Sequence, residues 1–573
     1  MESSMKFRLH SIVKFKNYTY YQFTLLFYIV TVALTSSVMA APLPTGAGQL
    51  IQSLKNQPNL NQPGSADLLA IPKPIADQSD NNGDVSVSVN EFEITGNTIF
   101  SHVELSALVA ELVGSKHTFG EINAGVAKIT NWYRQHGYLV ARAFLPLQDL
   151  KDGIVEIKVL EGRLGTQLVN NSAQISDANI NKYLDKVTIG SPLQSLAVDR
   201  AVLLLTDTPG IGGARASLQP GASVGASDLV IQVYQGPAYS ANIELDNFGS
   251  YYTGENRLGV ALALNNPLKI GDQLTVRALG SDKNMSYGRI SYQFPVGGNG
   301  LRLGVAYSDM RYQLGGEYEI LDVHGAAISS SAFVTYPFIR SQYTNLYGTL
   351  TLERKCLSDI QPAHIDKKVG LINFGLTGSR QDAMWSGGMN LMDVSVVAGS
   401  LSMDAASLAT DATTAKSNGE FSKLNIALNR LQRITDDNTL SIALSNQQAS
   451  KNLNSSEKFY LGGANGVRAY PQSEAGGDQG WMLNAEIRHS FMSNLQGLIF
   501  YDAGSVKINQ EAYILNTVNH RSISGAGLGL NAQYKSLQIK ATLAWRLYGG
   551  AATTEPVITN STPTFWVQLS ESF

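Results

Sequence analysis

A single cysteine, Cys356, stands in a chain of 573 residues, which excludes an intramolecular disulfide and any cysteine-based zinc or iron–sulfur site. Charge is scarce too: 16% of the residues are Asp, Glu, Lys or Arg, against roughly 25% in ordinary soluble domains. Neither sign prevails, with 43 Lys and Arg against 46 Asp and Glu, so no basic field exists to attract nucleic acid. The eight histidines show no H-x-H or H-E-x-x-H spacing, and no metal or other cofactor is expected. The run Gly462-Gly463-Ala464-Asn465-Gly466 lacks the lysine and following helix of a phosphate loop. Nothing pairs the carboxylates for catalysis, so enzyme activity is not expected. Past residue 40, no stretch approaches the ~18 consecutive apolar residues of a membrane-crossing helix. What the chain does hold is glycine (53) and tyrosine (25, against 19 phenylalanines). Its length suggests roughly three or four domains.

The N-terminus points to export. Lys6, Arg8, Lys14 and Lys16 form a positive region, Phe23 to Leu34 is apolar apart from its threonines, and Val38-Met39-Ala40 supplies a cleavage site. Twelve apolar residues are too few to span a hydrocarbon core of ~30 Å, so residues 1–40 are expected to be a signal peptide rather than an anchor. Any membrane-embedded part of the remainder must then be a closed barrel, the one alternative that satisfies every backbone group in lipid.

The mature chain changes character twice. Residues 45–57 place Leu50, Ile51 and Leu54 at helical spacing, and 58–84 hold Pro58, Pro63, Pro72 and Pro74 among polar residues, the composition of a solvated linker. Residues 85–165 follow the order β-α-α-β-β: VSVSVNEFEITGN, two helical segments over 101–114 and 119–138, then LVARAFLPLQ and GIVEIKVLEGRLG. A more degenerate copy covers 166–236, with helices at 177–185 and 194–205 and strands ARASLQPG and SDLVIQVYQG.

From Pro237 the period changes to two. Ala241, Ile243 and Leu245 share one face and Asn242, Glu244 and Asp246 the other, and Leu258, Val260, Leu262 and Leu264 repeat the pattern. Strands of ~9–11 residues with one apolar and one polar face indicate a transmembrane β-barrel over 237–573. Short turns recur at 265–271, 295–299, 337–344, 379–386, 431–437, 490–494 and 532–536. Longer segments fall at 310–325, 398–418, 448–480, 505–520 and 548–562. Seven tight turns, with both termini on the same side, give sixteen antiparallel strands. Alternation is weakest across 356–420, where strand ends are least certain.

Within the longest expected loop stands Leu461-Gly-Gly-Ala-Asn-Gly-Val-Arg-Ala-Tyr-Pro471, and a later strand carries Phe500, Asp502 and Gly504 in F-x-D-x-G spacing. With the signal peptide, short helix, linker, paired α+β units and barrel, these resemble a two-partner secretion transporter of the TpsB type, in the haemolysin secretion superfamily. The likeness covers essentially the whole mature chain. Val467, Arg468 and Tyr470 match the family's V-R-G-[YF] motif, with Ala469 where glycine is more common, so the tip geometry of the glycine form does not carry over directly. Phe573, with Phe565, Val567 and Leu569 on its face, resembles the C-terminal signal read by the barrel assembly machinery; Glu571 interrupts that face.

Parity supplies the chemistry. Asp502 shares a face with Gln496 and opposes Ile499, Tyr501 and Ala503, so it points into the lumen, because a carboxylate facing lipid is costly. Glu486 and Arg488 are lumenal by the same argument. A loop that folds back would let Arg468 pair with Asp502 through a charge-assisted bond. On spacing alone, Arg468 reads more readily as a solvated loop residue; the resemblance favours the pair.

The resemblance implies an outer-membrane transporter that exports one large partner, a haemolysin or filamentous adhesin, from periplasm to cell surface. It implies that the two β-α-α-β-β units are periplasmic POTRA domains that bind the partner, and that the helix near residue 50 plugs the pore at rest. An outer-membrane insertase of the same superfamily, or a passive porin, are the competing readings.

Overall fold

The computed structural model describes residues 46–54, 69–70, 86–149, 152–361, 363–514, 517–556 and 563–573. The expected signal peptide and most of the linker lie outside the described residues.

Alternation from Tyr239 onward closes into a barrel of sixteen antiparallel strands, each paired with its sequence neighbour around the ring. The first, Tyr239–Asp246, pairs with the last, Thr564–Ser572, over Asn242 to Asp246 alone. Leu258, Val260, Leu262 and Leu264 are 37–49% exposed on the outer surface, and Val276, Ile290, Val305 and Ile499 extend the same apolar belt. A belt of large apolar side chains held against the outside is what a bilayer requires of a barrel. No helix among the described residues is long and apolar enough to cross a membrane. All seven expected tight turns join consecutive strands at one end.

The ill-defined middle has a physical explanation. Strands Thr344–Gln361 and Ala363–Asp382 have 18 and 20 residues, about twice the length a bilayer needs, and Gln361 pairs directly with Ala363. Ser358, Asp359, His364 and Asp366 occupy the far end of this hairpin. That end stands beyond the apolar belt, where no lipid enforces alternation.

The first small unit has a sheet in the order Glu91–Thr95, Ile154–Leu160, Arg142–Phe144, the first pair parallel and the second antiparallel. Helix Phe119–Gln135 covers it, burying Ile122, Val126, Ile129 and Tyr133. Reciprocal capping boxes start its helices, Ser101 with Glu104 and Thr118 with Glu121. Ser86–Val89 pairs with Ser115–Thr118, a two-stranded addition to the expected order. Strand Arg163–Asn171 begins the second unit and crosses the boundary expected at 165/166, because the run read as one strand breaks at Gly162, where φ is +72°.

The second unit packs helices Asp177–Leu184 and Ser195–Thr206 on Arg163–Asn171, Ile211–Pro220 and Ala226–Gln235. Its outer edge is already occupied. Leu69–Ala70, inside the segment read as solvated linker, runs parallel to Ala216–Ser217. This unit is also fastened to the barrel. Arg340, beyond a bulge at Pro337/Ile339, donates from Nε and Nη2 to the two carboxylate oxygens of Asp207 at 2.7 and 2.8 Å. Arg302 donates to the Asp207 carbonyl at 2.7 Å, and Arg200 to the Pro337 carbonyl at 2.7 Å.

Candidate functional site

The long loop between strands Asn438–Ala449 and Gln479–Met492 turns back into the lumen. Leu461, Val467, Ala469 and Tyr470 are wholly buried there, packed on Met482, Leu498, Phe500, Val506 and Ile523 of the wall. The loop segment carries the resembling motif, and the wall segment Leu495–Lys507 carries its counterpart.

Arg468 meets Asp502 at the centre. Its Nε and Nη2 donate to Oδ2 and Oδ1 at 2.8 Å each, and its backbone N–H donates to Oδ2 at 3.1 Å. Nη1 donates to Glu486 at 2.6 Å, and the guanidinium carbon lies 3.5 Å from the centroid of Phe500. This uses the planar fork of arginine on three sides, with a cation–π face as the fourth contact. Asp502 is fully buried and also accepts from Asn484 Nδ2 at 2.8 Å. Glu486 is shared, since Arg488 donates to its Oε2 from Nε and Nη2 at 2.8 and 2.6 Å. The expected lumenal residues Glu486, Arg488, Phe500 and Asp502 are thus brought together with Arg468.

The glycines make room for the loop. A Cβ on Gly504 would sit 2.6 Å from Leu461 Cδ2, and one on Gly527 would sit 2.4 Å from Phe500 Cζ. Ala469 resolves the question raised by its replacement of glycine: it is absent from the positive-φ residues, so alanine is unstrained. Its methyl group instead faces Gly525, where an added Cβ would approach to 2.3 Å. Glycine is required on the wall at this contact, and alanine is accommodated on the loop.

Several residues outside the motifs complete the site. Trp566 Nε1 donates to the Arg468 carbonyl at 2.7 Å, and Arg546 Nε and Thr564 Oγ1 donate to the Ala469 carbonyl at 3.1 and 3.0 Å. Tyr470 Oη donates toward the carbonyls of Tyr548 and Gly550 at 2.8 and 3.0 Å. The tip is therefore held by the last five strands, including the one that closes the barrel. Parity alone would have placed Trp566 inward, opposite Phe565; nothing in sequence would have joined it to Arg468. Phe573 lies elsewhere, 63% exposed at the end of the last strand, where its backbone exchanges hydrogen bonds with Ala241.

The lumen holds a second insert. Helix Ala47–Ser53, within the expected 45–57, of which 45 and 55–57 lie outside the described residues, buries Ala47, Gly48, Leu50 and Ile51 in the cluster formed by Met310, Tyr312, Leu357 and Val369 of the barrel. Its Ala47 N–H donates to Asp359 Oδ1 at 2.8 Å.

Together these features define a class: a transmembrane β-barrel carrying two small α+β units at one end, its longest loop fastened inside the lumen by an arginine on a buried aspartate and a partly buried glutamate. The chain belongs to the haemolysin secretion/activation protein ShlB/FhaC/HecB family, whose profile matches residues 225–532, and a ShlB-type POTRA domain matches residues 87–162. It is 29% identical over 448 residues to the heme/hemopexin transporter protein HuxB of Haemophilus influenzae, covering 75% of this chain and 78% of that one. It is 22% identical to the outer membrane transporter CdiB of Dickeya dadantii, over 80% and 82% of the two chains. Among solved structures it superposes on CdiB from Escherichia coli with a TM-score of 0.70 at 19% identity, over 87% of this chain and 93% of the other. The barrel accordingly sits in the outer membrane, with the two POTRA units in the periplasm.

Proposed function

We propose that the protein exports one large, unfolded partner polypeptide of the haemolysin or adhesin kind from the periplasm to the cell surface. In this reading 41–84 are plug and linker, 85–162 and 163–236 are the partner-binding units, and 237–573 are the channel. The observation that carries it is the filled lumen: a barrel of sixteen strands is wide enough for water, yet a helix and a pinned loop occupy it, the loop fastened through many bonds and an apolar cluster and the helix a single short segment packed on the wall with one hydrogen bond to Asp359. The helix is a short segment ahead of the barrel strands, and a channel that must pass a polypeptide needs a closure that leaves. A passive porin would have no use for removable closures or for periplasmic binding units.

Capture is assigned to the POTRA sheets. Edge strands bind extended segments by adding a strand, with main-chain bonds giving affinity and alternate side-chain pockets giving specificity. In the first unit Arg142–Phe144 and Glu91–Thr95 are edges. In the second, Leu69–Ala70 stands where an incoming strand would pair with Ile211–Pro220, so arrival of the partner is coupled to displacement of the linker. Folding of the partner outside supplies the driving force. The heme/hemopexin and haemolysin transporters among its relatives support a secreted protein as cargo.

Deletion of residues 85–236 tests this. Secretion of the partner should stop while the barrel still inserts, because the barrel is stabilised by its own closed ladder. Normal secretion by the deletion strain would remove the POTRA units from the account.

A further inference from the structure

The lumen contains a second charged group that the arginine pin does not use. Lys355, Lys423 and Glu457 are 0%, 6% and 1% exposed. Lys355 Nζ donates to Glu457 Oε1 at 2.5 Å, while Lys423 Nζ lies 2.9 Å from Oε2 and donates to the Glu457 carbonyl at 2.9 Å. Gln447 Nε2 donates to that carbonyl and to the carbonyl of Asp478, both at 3.0 Å. The lysines belong to strands Thr344–Gln361 and Gly419–Arg433, and Glu457 ends a single 3₁₀ turn, Ser455–Glu457, in the first arm of the long loop. The arginine tip is gripped by the last five strands. The loop is therefore fixed to two different sectors of the wall.

The turn that Glu457 holds is also what the helix rests on. A Cβ on Gly48 would stand 2.5 Å from Ser455 Oγ and 2.8 Å from the Ser456 nitrogen, so the helix and the turn are in direct backbone contact. The barrel holds the helix from another side through Asp359, which also accepts from Tyr312 Oη at 2.6 Å. Burying two lysines around one carboxylate is costly for stability alone. Fixing the position of the turn gives that arrangement a purpose.

We propose that Glu457 is a second anchor of the long loop, held by Lys355 and Lys423, and that this anchor, rather than the arginine tip, seats the helix in the lumen. The inference rests on the reading of the helix as a plug. Freeing the first arm of the loop withdraws the floor under the helix, whereas freeing the tip leaves that floor in place.

The test uses the full chain in lipid vesicles, with spin labels at Gln52→Cys and at Asp436→Cys in an exposed periplasmic turn, and Cys356→Ser to remove the native thiol. Electron–electron resonance then gives the helix-to-turn distance. Glu457→Gln keeps the shape and withdraws the charge. It should raise the displaced population on the order of tenfold, as expected for loss of a buried bond to a charged group. Arg468→Ala should leave the distance as in the parent. Combining Lys355→Gln and Lys423→Gln with Glu457→Gln should return the helix toward its seat, since the two buried lysines are no longer left without the Glu457 carboxylate, whereas general damage would worsen. Gly48→Val, which leaves the charges intact, should push the helix off the turn and serves if Glu457→Gln does not assemble. An unchanged distance in both Glu457→Gln and Gly48→Val, or equal displacement by Arg468→Ala, would overturn the proposal. Bilayer conductance on the same variants separates the two ideas: a displaced helix with unchanged conductance would sink the plug and leave the anchor standing.

Discussion

Arg468 and Asp502 are joined by two parallel hydrogen bonds of 2.8 Å, across 34 residues of chain and between a loop and the wall it folds against. Arg468→Ala removes the fork and leaves Asp502 and Glu486 short of their cation. Breaking one side of a buried pair costs about 3–5 kcal/mol when no water enters, and a wet lumen screens part of that. The barrel, closed by its own ladder, should stay folded and heat-modifiable on gels. Secretion should fall by about tenfold or more, the change that ~1.4 kcal/mol produces in an equilibrium. Lysine should rescue poorly because it lacks the planar bidentate geometry. Secretion assays on Arg468→Ala, Arg468→Lys and the Arg468→Asp/Asp502→Arg swap check this.

The methyl contact between loop and wall gives a reciprocal prediction. Gly525→Ala puts a Cβ 2.3 Å from that of Ala469, so the tip must shift and secretion should drop. Ala469→Gly alone should be nearly silent. Ala469→Gly combined with Gly525→Ala moves the methyl group from loop to wall and should recover much of the loss, a non-additivity read by a double-mutant cycle.

Trp566 ties the closing strand to the tip. Trp566→Phe keeps the ring beside Phe248, whose centroid lies 5.8 Å away, but removes the donor to the Arg468 carbonyl. The expected cost is about 1 kcal/mol. Secretion should fall severalfold, less than for Arg468→Ala, with no change in heat-modifiability.

Removal of the helix residues 47–53 should raise single-channel conductance and antibiotic leakage. Secretion should persist, since the helix has to leave in any case. Planar-bilayer recording against the parent chain measures it; equal conductance would mean the helix is no plug.

Glu161 links the first POTRA unit to pH. Burial disfavours its charge, but Thr98 donates from both side chain and backbone, Ile99 N–H donates at 2.7 Å and Tyr133 Oη at 3.0 Å, and these donors hold the carboxyl below its ordinary 4.5. A lowered folded value stabilises the unit above the unfolded pKa, and this contribution is lost as pH falls through the folded value. Glu161→Gln should cost about 1–3 kcal/mol at neutral pH and much less in acid. Hydrogen exchange at Thr98 and Ile99, compared at pH 7 and at successively lower pH below 4.5, reads the difference.

Much of this was legible in the sequence, and the reasons are physical. A bilayer forces apolar and polar faces to alternate, so the strands around Leu258–Leu264 and Ile499–Ala503 declare both their type and their inward side. The same parity placed Asp502, Glu486 and Arg488 in the lumen. Where lipid pressure ends, so did the signal: the hairpin about Gln361 runs past the membrane and alternates weakly. Helices and strands of the POTRA units were readable, but not the break at Gly162 or the pairing of Leu69–Ala70, which depends on a partner strand about 147 residues away. Least legible were long-range contacts to backbone. Trp566, Arg546 and Thr564 donate to loop carbonyls, and Lys355 and Lys423 converge on Glu457 from strands separated by an entire hairpin. No local pattern announces such contacts.

The central claim is export of one partner, and the most direct measurement is quantitative proteomics of surface, medium and outer membrane in the host strain with the gene deleted and then restored. The account predicts that deletion removes one large protein from the surface and medium while outer-membrane barrels keep their levels. The parent chain should restore that protein and the Arg468→Ala chain should not. A general loss of outer-membrane barrels, as an insertase would give, or an unchanged set of surface and secreted proteins, would contradict it.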